Sequence, residues 1–252
     1  MIKIKSPREI SLMRQAGKVT AAARELAGNM VTAGVTTREI DKAVHDYIVS
    51  KGAIPTFLGY SGYPASICIS VNDELIHGIP GKRRLKDGDV VCVDVGATLH
   101  GYVGDCAATF IVGQGDEEAR RLAEVTKQSF FEGIRYARQG GRVSDISHAV
   151  QTYAESFGYG VVREYVGHGV GEKMHEDPEV PNYGAPGRGP RLVRGMTLAV
   201  EPMINAGTWR VDLDGWKCVT ADGKNSAHYE NTILITEGDP EILTLYRDGK
   251  EV

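Results

Sequence analysis

The sequence predicts a mixed α/β (α+β) protein built from two similar halves. Two observations carry this reading. Segments of helical periodicity alternate with short β-branched runs throughout the 252 residues. The chain also repeats itself: shifted by 106 residues, Gly34, Ile40, Ala43, Val44, Tyr47, Ser50 and Gly52 fall on Gly140, Ile146, Ala149, Val150, Tyr153, Ser156 and Gly158. Shifted by 107, Leu85, Gly88, Val93 and Asp94 fall on Leu192, Gly195, Val200 and Glu201. A nearly constant offset across helix and strand implies two halves, roughly 34–112 and 140–236, related by a pseudo-twofold axis within a single domain spanning 1–252.

Taken in order, Ser6-Pro7-Arg8-Glu9 is a capping box with proline at the first helical position, and a helix follows until Gly34. Thr36-Thr37-Arg38-Glu39 opens a second helix, with Ile40, Val44, Tyr47 and Ile48 on one face and Gly52 as its stop. Residues 53 to 89 mix a strand at Ser66–Val71 with turns at Gly62, Gly78-Ile79-Pro80 and Asp87-Gly88. Val90 to Val95 is an apolar strand interrupted only by Asp94, and it starts a hairpin that runs to about Val112. An even-length loop centred between Leu99 and His100 sets Asp94 directly opposite Asp105. Two such charges in an apolar strand require a shared proton or a cation. Asp116 caps a helix reaching about Arg138, and Ser144 starts another that ends at Gly158. Met196 to Ile204 and Ala227 to Thr236 read as two further strands, with Glu201 and Glu230 inside them.

Composition narrows the class. A hydrophobic share of 42%, a charged share of 25% and a net charge of −4 are those of an ordinary soluble globule. Lys82-Arg83-Arg84, the densest basic cluster, sits in a turn-like stretch and reads as a solvated loop, so no nucleic-acid partner is expected. The cysteines at 68, 92, 106 and 218 have no C-x-x-C spacing, which points to buried thiols in a reducing compartment. With no signal-like start and no apolar run approaching a membrane span, a cytoplasmic protein with no membrane partner is expected.

Asp94, Asp105, Glu201 and Glu230 all lie in or beside apolar strands, where four carboxylates without a cation are prohibitively costly. His168 stands in Val166-Gly167-His168-Gly169-Val170-Gly171, whose glycines admit close backbone approach. A lone histidine usually means little, but one imidazole with four carboxylates forms a hard donor set suited to two divalent first-row ions. The unclustered cysteines exclude an all-thiolate zinc site.

Here the motifs resemble a known family. Asn72-Asp73-Glu74-Leu75-Ile76-His77-Gly78-Ile79-Pro80, the Asp94/Asp105 pair and Gly167-His168-Gly169 are three of them. His175-Glu176-Asp177-Pro178, Val200-Glu201-Pro202-Met203 and Tyr229-Glu230-Asn231-Thr232 complete the set. In order and spacing they are similar to those of type I methionine aminopeptidases over nearly the whole chain. The resemblance implies a pita-bread fold with a central antiparallel sheet and helices outside. It implies two divalent ions (Co, Mn, Fe or Zn) on Asp94, Asp105, His168, Glu201 and Glu230, with Asp105 and Glu230 bridging. It further implies Glu201 as base and His77 and His175 as groups acting on the substrate. Tyr60, Tyr63, Cys68 and Trp216 match the methionine pocket, as do Phe57 and Met174, which stand where relatives often carry cysteine and phenylalanine. The implied substrate is the N-terminal methionine of nascent polypeptides near the ribosome, removed when the next residue is small, by a monomer. The chain lacks the N-terminal extension and helical insertion of other members, so the short bacterial form is expected. Aminopeptidase P and prolidase share metal set and fold but usually carry an N-terminal domain, for which a first helix at residue 6 leaves no room. Fold relatives that only bind have lost the five ligands, all present here.

Overall fold

The computed structural model describes residues 1–246. Helix α1 (Pro7–Met30) starts at the expected capping box, where the Ser6 amide donates to Glu9 Oε2 at 2.7 Å. Helix α2 (Thr37–Ser50) starts at a second one, formed by Thr36 and Glu39. The first sheet follows: β1 (Ile54–Pro55), β2 (Ile67–Val71), β3 (Glu74–Ile76), β4 (Val90–Leu99) and β5 (Tyr102–Ile111), of which β3 leaves to join another sheet. Helices α3 (Glu117–Ile134) and α4 (Val143–Glu155) open the second half of the chain. Then come β6 (Gly160–Val161), β7 (Gly167–Gly169), β8 (Glu176–Val180), β9 (Thr197–Val200) and β10 (Met203–Asn205). Last are β11 (Val211–Asp214), β12 (Lys217–Thr220), β13 (Ser226–His228), β14 (Asn231–Leu234) and β15 (Glu241–Ile242).

All described strand pairings are antiparallel. The helices cover two apolar layers. Ile40, Val44 and Ile48 of α2 pack with Ala23 and Ala27 of α1 against Ile67, Ile69, Val91, Val93 and Val95. Phe130 and Ile134 of α3 and Val143 and Ile146 of α4 pack against Leu198, Val200, Ile233 and Ile235. Burial of these β-branched and aliphatic side chains contributes roughly 1.5–3 kcal/mol each and is what holds helices to sheets. All four cysteines are free and buried. Among the described residues no helix is long and apolar enough to cross a membrane.

Three expectations need correction. The β4–β5 hairpin turns at His100-Gly101, both at positive φ (53° and 81°), so Leu99 pairs with Tyr102. Asp94 therefore faces Ala107, and Asp105 faces Gly96. The register moves by two residues, so the two carboxylates are diagonal neighbours on the same face rather than direct opposites. The expected strand from Met196 to Ile204 is broken at Glu201-Pro202, and that from Ala227 to Thr236 at Tyr229-Glu230. Each crosses there from one sheet to another, since β9 pairs with β14 and β10 with β13. Finally, α3 ends at Ile134 rather than near Arg138, because residues 135–139 turn to let Gln139 donate its amide to the Thr236 carbonyl at 3.0 Å.

Candidate active site

Three adjacent backbones bring the acids together. Asp94 pairs with Ala107, and Ala107 exchanges both backbone hydrogen bonds with Glu230, at 3.2 and 3.0 Å. Asp94 and Glu230 thus flank β5 on the face that also carries Asp105. The Asp105 amide donates to Thr232 Oγ1 at 3.1 Å, and that hydroxyl donates back to the Asp105 carbonyl at 2.9 Å, which ties β5 to β14. On the other side His168 pairs with Ala199, two residues before Glu201. Glu201 sits at the sheet crossing, its carbonyl accepting from Asn182 Nδ2 at 2.9 Å.

The five sequence-predicted donors converge. His168 Nε2 lies 3.6 Å from Asp105 Oδ2 and 3.5 Å from Glu201 Oε1. Its Nδ1 donates to the Gly169 carbonyl at 2.8 Å, which in the neutral ring leaves a lone pair on Nε2 facing two carboxylates. That is the arrangement of a metal-binding histidine, its far nitrogen anchored to a backbone carbonyl. Ligand atoms of Asp105, His168 and Glu230 lie within 4.8 Å of one another, as do those of Asp94, His228 and Glu230. Glu230 is common to both groups, so the set suits two adjoining cations. The electrostatics agree: Asp94 Oδ1, Asp105 Oδ1 and Glu230 Oε1 are buried with no hydrogen-bond partner. Burial lifts the Asp94 carboxyl to about 7. Burial and neighbouring charges push Asp105, Glu201 and Glu230 well above the usual carboxylate range. Burial, with His175 nearby, lowers His168 to about 4. Four acids driven toward neutrality and a ring that resists protonation form a site whose charges call for cations.

The site closes one end of a cavity of about 250 Å3. Phe57, Tyr60, Tyr63, Cys68, Met174 and Trp216 line it together with His77 and His175. Tyr63 meets Trp216 edge-on at 5.4 Å, while Tyr60 and Trp216 are exposed at the mouth. Burial raises the Cys68 thiol well above its ordinary value, so it acts as a small apolar wall group rather than a nucleophile. His77 is held at φ 61° and packs edge-on against Tyr165 at 5.6 Å. The next residue is glycine because an added Cβ would lie 2.2 Å from the Ile69 carbonyl oxygen. Tyr63 Oη donates to the Gly78 carbonyl at 2.8 Å and fixes that turn. His175 Nδ1 is 2.7 Å from Tyr60 Oη, and its ring centroid is 4.3 Å from that of His168. Burial lowers the pKa of both His77 and His175, which keeps them neutral at pH 7.

Sequence reasoning missed Ile76 and Tyr165 in the cavity wall, and His228 behind it. His228 is 1% exposed, and its Nε2 lies 3.7 Å from Glu201 Oε2 and 3.7 Å from Glu230 Oε2. Neither ring nitrogen has a hydrogen-bond partner, and burial lowers its pKa to about 3. The available signal was strand alternation: a residue two before Glu230 shares its face.

An apolar cavity that ends on oxygen-rich cation sites is equipment for hydrolysis, and the class is that of a metal-dependent hydrolase. Comparison with known proteins sharpens this. The model of metallopeptidase family M24 matches residues 11–237, and the chain belongs to that family. A methionine aminopeptidase of Clostridium acetobutylicum is 56% identical over 97% of this chain and 99% of its own length. Methionine aminopeptidase 1 of Bacillus subtilis is 51% identical over 97% of this chain and 99% of its own. The crystal structure of a methionine aminopeptidase from Thermotoga maritima superposes with a TM-score of 0.96 at 46% identity, covering 98% of this chain and all of that one. The fold is accordingly the pita-bread fold, antiparallel sheets within and helices outside.

Proposed function

We propose that the chain is a methionine aminopeptidase, which hydrolyses the first peptide bond of polypeptides beginning with methionine followed by a small residue. The observation that carries this reading is the convergence of Asp94, Asp105, His168, Glu201 and Glu230 at the end of an aromatic and sulfur-lined cavity. Two divalent ions held by these five residues, whether Co, Mn, Fe or Zn, would supply Lewis acidity and a water acidified to hydroxide at neutral pH. Glu201, whose carboxylate lies between the imidazoles of His168 and His228, would accept a proton from water and return it toward the leaving amine. Asp94, Asp105, Glu230, His168 and Glu201 would together hold the ions, with Glu230 common to the two groups of donors.

His77 and His175 act on the substrate. His175 Nδ1 is hydrogen-bonded to Tyr60 Oη, and with that hydroxyl as the donor the ring's proton stands on Nε2, where it is offered to the developing oxyanion. His77, neutral and in contact with Tyr165, bonds the scissile amide. Met174, Cys68, Phe57, Tyr60, Tyr63 and Trp216 receive the methionine side chain, whose thioether makes favourable contacts with aromatic and sulfur groups. The second residue is limited to a small one such as Ala, Gly or Ser. The chain works as one catalytic domain of two related halves, as a monomer in the cytoplasm, on nascent chains near the ribosome. The free buried cysteines support a reducing compartment. Release of methionine from Met-Ala peptides, beside Met-Lys and Xaa-Pro peptides, tests the reading. Faster cleavage of Xaa-Pro, or equal rates on Met-Ala and Met-Lys, would overturn it.

A further inference from the structure

The loop that carries Met174 and His175 begins at Gly171 and leads into β8 at Glu176, and the first five residues of the chain are fastened along the loop and the start of that strand. Met1 pairs through its amine with Asp177, Lys3 Nζ bonds Glu172 at 2.8 Å, and Lys5 Nζ bonds Glu176 at 2.8 Å. Alternate residues of an extended segment thus face one loop. The outer two pairs are exposed, and pairs of that kind add little. The innermost differs, with Lys5 and Glu176 side chains only 3% and 4% exposed.

Everything around that pair is close. A Cβ on Gly171 would lie 2.7 Å from Lys5 Cε and 2.7 Å from Glu176 Oε1, and one on Gly195 would lie 3.0 Å from the Lys5 carbonyl oxygen. The Lys5 amide donates to the Gly195 carbonyl at 2.8 Å. Glu176 Oε1 accepts from the Lys173 amide at 3.2 Å, which closes a short turn around Met174 and His175. A buried ion pair is poor evidence for stability, because desolvating both charges offsets their attraction. What it supplies here is a single position for the backbone on either side of it. Glu176 is the next residue after His175, so that position is inherited by the imidazole and its contacts with Tyr60 and His168.

We propose that Lys5 and Glu176 are positioning residues for His175, so that the N-terminal segment is a working part of the active site. This deepens the reading of His175 as the donor to the substrate and rests on it. The test is the double variant Lys5→Met/Glu176→Gln, which removes both charges while keeping the stems and the acceptor for Lys173. We expect an unchanged or higher thermal midpoint, metal binding by calorimetry equal to the parent, and kcat on a Met-Ala peptide lower by about tenfold or more with little change in KM. In a His175→Ala background the same double change should add nothing, because both act through one ring. If the double variant matches the parent while His175→Ala is defective, the positioning role falls and the reading of His175 stands. If His175→Ala itself turns over normally, that reading falls first. An equal loss in both backgrounds would also overturn the proposal. Should the double variant not fold, Lys5→Arg is the second probe: its bulkier head displaces Glu176 beside Gly171, and the same selective fall in kcat is expected.

Discussion

Replacing Asp94 with asparagine should stabilise the metal-free protein while removing its response to metal. Burial lifts the Asp94 carboxyl from 3.8 to about 7. At about 1.4 kcal/mol per pH unit, such a rise sets about 4 kcal/mol against the charged form in the fold. The sign follows from linkage. The folded value lies above the unfolded one, so this carboxyl's stability contribution is intact below the unfolded value and is lost as pH rises through 7. At pH 8 the parent therefore carries the full cost, whereas a neutral amide carries none of it. Asparagine can still accept from the Val95 amide but has an NH2 group to satisfy, so about half of the gain, ~2 kcal/mol, should be realised. For a chain of this size that is ~4–8 °C in Tm. Thermal unfolding followed by circular dichroism after exhaustive chelation reads it directly, and the gap between variant and parent should narrow from pH 8 toward pH 5. Added Mn²⁺ at a hundred times its Kd should then raise the parent by about 2.7 kcal/mol and leave the variant nearly unmoved. An Asp94→Asn variant that melts at or below the parent at pH 8 without metal would refute the reasoning.

Other consequences can be checked alongside it. His77→Ala and His175→Ala should each lose about 10²–10³ in turnover while binding metal as the parent does, whereas His168→Ala should lose metal affinity together with activity. Calorimetry beside steady-state rates separates the two cases. His228→Leu keeps the bulk of the ring but removes its nitrogens, and metal affinity should fall by about 10–100-fold in a fluorescence or calorimetric titration. Gly78→Ala drives a Cβ against the Ile69 carbonyl, a backbone atom that cannot step aside, and should cost roughly 1–3 kcal/mol of stability and displace His77. Unaltered Tm and kcat in that variant would contradict the close approach.

Local chemistry made the helices readable. The capping boxes at Ser6 and Thr36 start α1 and α2 where expected, because both partners of a box lie within four residues. The four carboxylates stood out for another reason: acids are so costly in β-branched strands that each one demands an explanation, whereas His168 stood out only by the glycines around it. The hairpin register was not legible, because it depends on His100 accepting positive φ beside Gly101, a choice the tight two-residue turn makes and side-chain pattern does not. Nor were the breaks at Glu201-Pro202 and Tyr229-Glu230, since a strand that changes sheets looks continuous in hydropathy. His228 was within reach by alternation, yet one histidine in the run Ser226-Ala227-His228-Tyr229 gives no hint of the two carboxylates its ring meets. The Lys5–Glu176 pair spans 171 positions and leaves no local trace.

The paired crossing of β9–β10 and β13–β14 has a mechanical meaning. Glu201 and Glu230 stand at the same break, bracketed by Asn231–Val200 on one side and Met203–His228 on the other. Neither acid can drift from its neighbour without unzipping a ladder, so loosening the centre approaches unfolding a whole sheet, and amide exchange at Val200 and Asn231 should be among the slowest in the protein. Part of the cavity wall hangs from turns instead: Tyr60 and Ser61 in a single 3-10 turn and Trp216 at a hairpin tip. Rate-making and choice of side chain are thereby housed in parts of different stiffness, and mutation can reshape the second without unsettling the first.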